Sequence, residues 1–158
     1  MIVATWVLGL SLVPTSPEPA AFTVLKQMVG GVWRGTVGDK LPVEQRFSLV
    51  EGGKVIEGFG VVGDPKKPVL KMHSRMGLDA KGGVYYLDMH NSDTVYFGSV
   101  TEVNGAGVFD FTDVTAHAGH WISRARINGD SCESMLSTVD ASGAEKTLHG
   151  LKLTRMKK

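Results

Sequence analysis

From Val32 to Met156 hydrophobic and polar positions alternate in short runs, each ended by residues that turn the backbone. A two-residue period marks a half-buried β-strand, whose side chains project to opposite faces in turn. The runs predict ten strands: Val32–Val37, Val43–Leu49, Lys54–Val62, Val69–Leu78, Val84–Met89, Thr94–Val103, Gly107–Thr112, His120–Ile127, Ser131–Val139 and Lys146–Met156. Asn104-Gly105 and Asn128-Gly129 suit tight hairpins, where consecutive residues need positive φ. A helical period appears only near the N-terminus, where Phe22, Leu25 and Val29 share a face before Gly30-Gly31 stops the helix. Ten strands joined by turns form an antiparallel meander, and a meander of that length removes its exposed edges by closing on itself. The fold expected is all-β: an up-and-down barrel of about ten strands with a short N-terminal helix. A β-sandwich is the alternative, although no long Greek-key connection is present to build it.

The alternation also suggests an interior. Leu70, Met72, Ser74, Met76 and Leu78 share one face, opposite Lys71, His73 and Arg75. Tyr85, Leu87 and Met89 form another apolar face, as do Phe109 with Phe111, Trp121 with Ser123, Ala125 and Ile127, and His149 with Leu151 and Leu153. A barrel of eight strands already has room for one small ligand, so a wider one implies a cavity. The expected function is binding or carriage of a hydrophobic or amphipathic small molecule, a lipid among them. Its lining is expected from Tyr85, Leu87, Phe109, Phe111, Trp121, His149 and Leu151. In the competing expectation the same side chains fill a solid core, with Met72 and Met76 closing irregular gaps. Arg124 and Arg126 face outward, Arg124 in reach of a carboxylate head group if it lies near an opening.

Composition narrows the partners. The chain has 158 residues and a formal charge of +1, so it is one domain without the electropositive surface of a nucleic-acid binder. Glycine, at 20 residues, is nearly twice as common as the usual ~7%, which suits frequent turns. A single cysteine, Cys132, removes any disulfide framework or Cys-rich zinc site. Outward positions carry charge instead of the apolar band of an outer-membrane barrel, so an integral membrane protein is not expected. Residues 1–21 read as a signal peptide or N-terminal extension ahead of a barrel domain at 22–158. Ile2–Val13 is apolar but too short to span a bilayer, and Pro14 to Ala21 forms a polar, breaker-rich exit. Cleavage there implies a secreted or periplasmic protein.

Catalytic motifs are absent: no G-x-S-x-G elbow, H-E-x-x-H, P-loop or dinucleotide fingerprint occurs. His117 and His120 lie three apart in a loop without the further ligands a metal site needs. Asp110, Asp113, Glu44 and Glu57 offer carboxylates, but their separation is not fixed by sequence. Neither catalysis nor a bound metal is indicated. An enzyme would need a buried carboxylate or histidine facing the cavity beside a second polar group.

Gly31-Val32-Trp33-Arg34-Gly35 resembles the G-x-W signature of lipocalins and other calycins. The resemblance implies a calycin-like barrel in which Arg155, near the end of the last strand, packs across Trp33 and closes one end. The chain also resembles the bacterial domain-of-unknown-function family fifteen seventy-nine across residues 22–156. The matching features are Leu25 to Gly35, Gly77-Leu78-Asp79 followed by Tyr85-Tyr86 and Asp88, Arg124, and the terminal strand with Arg155. That likeness implies an exported barrel and assigns no activity. A second resemblance, to the nitrobindins, implies haem held by His149 on the last strand. Thr36-Val37-Gly38-Asp39-Lys40 departs from the opening pattern of that family.

Overall fold

The computed structural model describes residues 17–38 and 40–156; the apolar Ile2–Val13 run lies outside the described residues. A short helix, α1 (Ala20–Lys26), precedes ten strands: β1 (Val32–Val37), β2 (Leu41–Val50), β3 (Val55–Asp64), β4 (Lys67–Leu78), β5 (Val84–His90), β6 (Thr94–Val103), β7 (Ala106–Asp113), β8 (Ala118–Asn128), β9 (Ser131–Val139) and β10 (Glu145–Met156). Each strand pairs antiparallel with the next, and β10 returns to β1 with Val32 opposite Met156, so the sheet is a closed barrel. The expected architecture is the one observed. The strands β1, β6 and β9 keep their expected bounds, and most others extend by one to three residues toward their turns. Ladder hydrogen bonding continues after the apolar alternation has stopped, which accounts for the extension.

The α1 helix buries Ala21, Phe22, Val24 and Leu25 and packs on β6 and β7. Its other side is solvated, where Lys26 Nζ lies 2.8 Å from Glu18. The chain then turns through Gly30 and Gly31, both at positive φ, into β1. A side chain at Gly31 would meet the Arg155 stem 2.9 Å away, so glycine is needed there for space as well as for conformation.

That junction closes one end of the barrel. Trp33 is fully buried, and its indole Nε1 donates to the Met28 carbonyl at 2.8 Å. Arg155 stands opposite Trp33 across the β1–β10 ladder, with its guanidinium 4.6 Å from the ring centre. The guanidinium also donates to the Gln27 carbonyl, and the Arg155 backbone N–H donates to the Asp130 carbonyl at 2.7 Å. The stack implied by the calycin resemblance is therefore present. It ties both chain ends of the barrel to the helix. Phe22, Leu25, Ile56, Val84, Val100, Ile127, Cys132 and Leu153 complete the core around it.

Candidate functional site

Above this floor the interior is not solid. A cavity of about 130 Å³ is lined by Phe47, Met72, Met76, Tyr86, Phe109 and Phe111 among others. The room arises where glycines replace side chains on the inward face. Gly58 and Gly60 of β3 present no Cβ, and Phe47 and Met72 lean over the bare backbone. Gly98 of β6 stands between Tyr86 and Phe111, its neighbours in the ladder. Those two rings meet edge to face at 5.3 Å.

The aromatic wall continues upward. Tyr86 also contacts Phe109 at 5.2 Å, Phe111 stacks on Trp121 at 6.1 Å, and Tyr96 stands edge-on to both Phe111 and Trp121. Edge-to-face contacts of this kind add to the burial of the rings and hold their orientation. His90 ends the array 4.8 Å from the Tyr96 ring.

One carboxylate stands in this apolar setting. Asp88 of β5 is buried, at 6% exposure, and lines the cavity. Its Oδ2 accepts the Tyr86 hydroxyl at 2.9 Å and lies 2.9 Å from His90 Nε2. Its Oδ1 is buried and has no hydrogen-bond partner among the described residues. Burial, and then the negative charge of Asp88, pushes the Tyr86 hydroxyl well above the ordinary phenol range. Tyr96 is raised by burial first, then by Asp113 and Asp88. Ser74, Ser123, Ser134 and Gln45 add polar atoms to the lining. Cys132 lines it too, its thiol pushed up to about 11 by burial first and by Glu133 second.

The expected site residues separate into groups. Phe109, Phe111 and Leu151 line the cavity. Trp121 belongs to the aromatic array through Phe111 and Tyr96. His149 pairs with Leu136 beside a bulge in β10; it is exposed and outside the cavity lining. Tyr85 and Leu87 are a correction, because β5 presents its other face inward. Tyr85 lies outside, over the bare face of Gly77, and Leu87 pairs between Arg75 and Phe97, which is 50% exposed. The residues that enter in their place are Tyr86, Asp88 and His90. Hydrophobicity favoured Leu87 and Met89 as the inward set, whereas pairing across the Asp79–Gly83 turn decides otherwise. Leu78 is opposite Val84, so the inward face of β4 continues as Val84, Tyr86 and Asp88.

The other polar candidates have local partners. Arg124 makes a two-point ion pair with Glu145, at 2.6 and 2.7 Å, in place of any head group. Glu44 is held below the ordinary carboxylate range by its hydrogen bonds to Arg46 and Arg34. Glu57 pairs with His73 at 3.0 Å, and Asp110 with His120 at 2.7 Å. Asp113 caps the turn by accepting from the N–H groups of Thr115 and Ala116. Among the described residues no group of three His, Cys, Asp or Glu could hold a metal ion. No helix among them is long and apolar enough to cross a membrane.

The nitrobindin resemblance can be tested on this geometry. His149 does not reach the cavity, and about 130 Å³ is well below the roughly 300–1,000 Å³ of pockets that enclose drug-sized ligands. The residues present do not fit an enclosed haem held by His149.

No family model and no curated protein matches the sequence. Among solved structures, the chain is similar to the crystal structure of Rv2717c from M. tuberculosis, with a TM-score of 0.62 at 13% identity. The match covers 87% of this chain and 98% of that one. At that identity the likeness is one of fold.

Proposed function

We propose that this protein is a calycin-like barrel of the kind seen in domain-of-unknown-function family fifteen seventy-nine, and that it binds a small amphipathic molecule inside the barrel. The observation that carries this reading is the cavity lined by Phe47, Met72, Met76, Tyr86, Phe109 and Phe111, with polar atoms set into apolar surface. Its size favours a compact body over a long acyl chain, since a dry cavity of ~150 Å³ accepts a benzene ring. If residues 1–21 are removed on export, the protein acts as a secreted or periplasmic carrier.

Protein-observed NMR with single-ring compounds tests the reading. Perturbations should centre on Tyr86, Phe109, Phe111 and Ala125, and should vanish in a Ser134→Leu variant that fills the space. Shifts confined to the outer wall, or unaffected by filling, count against it.

A second reading, an enzyme using the same cavity, has one observation in its favour. A buried carboxylate faces the interior beside a phenol and an imidazole. Asp88 would accept a proton from a bound molecule, with His90 on its second oxygen to share the charge. This reading predicts chemical turnover of the guest, where a carrier returns it unchanged.

A further inference from the structure

The Asp88 side chain is only 8% exposed, and its Oδ2 is engaged by Tyr86 and His90. Its Oδ1 is buried without a partner, and Asp88 is one of the residues that line the cavity. A buried carboxylate oxygen is costly to leave without a donor. The lining contains no lysine or arginine to serve it; its polar members are serines, Gln45, Tyr86 and the Cys132 thiol. The formal charge of the lining is therefore that of Asp88 alone. Around that charge stand the Tyr86, Phe109 and Phe111 rings, whose faces attract cations.

We infer that the guest is a small organic cation: a primary or secondary ammonium on a compact apolar body of about one six-membered ring. The ammonium donates to Asp88 Oδ1, and the ring lies against the aromatic and methionine side chains of the lining. This rests on the cavity-binding reading above and adds the ligand class to it. An anion of the same shape meets Asp88 with like charge, and an alcohol meets it with a weaker donor.

Three isosteric probes distinguish the possibilities: benzylamine, benzyl alcohol and benzoate, titrated into the full chain at neutral pH by calorimetry. Benzylamine should bind at least tenfold more tightly than benzyl alcohol, because the ammonium adds an opposite charge to the hydrogen bond that either donor makes to the carboxylate. Benzoate should not bind. Asp88→Asn should remove the preference for the amine. Should that variant fail to fold, the ranking on the native protein decides alone. Equal affinity for alcohol and amine overturns the cation assignment and leaves cavity binding intact. Failure of all three probes to bind overturns both.

Discussion

The Arg155 guanidinium lies 4.6 Å from the centre of the Trp33 ring, and the two residues are direct partners across the β1–β10 seam. A contact between the first and last strands fastens the point where the meander becomes a ring. Arg155→Lys keeps the charge but loses the planar stack and the forked donors. It should cost about 1–2 kcal/mol, read as a lower urea midpoint at unchanged slope. Trp33→Ala removes a fully buried side chain and should cost about 3–5 kcal/mol. Unchanged midpoints for both variants would show that the seam holds without the stack.

Gly98 occupies a place where a side chain has no room. A Cβ there would lie 1.9 Å from the Asp110 carbonyl oxygen and 2.6 Å from the Phe111 Cα, both backbone atoms. Gly98→Ala must force β6 and β7 apart, and a loss of at least about 2 kcal/mol is expected. Gly150→Ala is the control. Its nearest neighbours are 3.5 Å away, an ordinary contact, and its thermal midpoint should move far less.

Stability at alkaline pH should report on Tyr86. In the folded barrel its hydroxyl is held neutral by burial and by Asp88, so the folded state keeps a proton that the unfolded chain releases. This contribution is whole below the ordinary tyrosine value, about pH 10, and is lost as pH rises toward the raised folded value. Tyrosinate absorbance from Tyr86 and Tyr96 should therefore appear together with unfolding. Tyr86→Phe should be less stable at neutral pH, because Asp88 loses a donor, yet lose less with rising pH. Gradual tyrosinate formation from both residues in a barrel that stays folded is the contrary result.

Cys132 should be a slow thiol. It is buried, and its value of about 11 leaves little thiolate near neutrality. Alkylation by iodoacetamide should be far slower than in the urea-unfolded chain, and a cavity ligand should slow it further. Rapid labelling of the folded protein would show that the barrel opens readily.

Arg124 and Glu145 form an exposed pair, so Arg124→Ala should shift stability by only about 0.2–1 kcal/mol. Ligand affinity should not change, since neither residue lines the cavity. A large loss of affinity would restore Arg124 as a head-group anchor.

The strand count, the meander and the Trp33–Arg155 closure were all legible in the sequence. The first two follow from two-residue alternation and turn glycines, and the closure is what the calycin resemblance of Gly31-Val32-Trp33-Arg34-Gly35 implies. Phe109, Phe111 and Leu151 were legible as interior positions from the same alternation. The face of β5 was not, because Tyr85, Leu87 and Met89 are as apolar as an inward set should be. Only the register, with Leu78 opposite Val84 and Ser74 opposite Asp88, turns the other face inward.

The amino-acid order thus determined that a ring of strands forms and which residues fasten it. What the interior can do was decided in three dimensions, since strands distant along the chain must close around a charge before its environment exists. Asp88 alternates in the sequence like a surface residue. It becomes a buried acceptor because Met72, Met76, Phe109 and Phe111 arrive from other strands and displace the water that would have surrounded it.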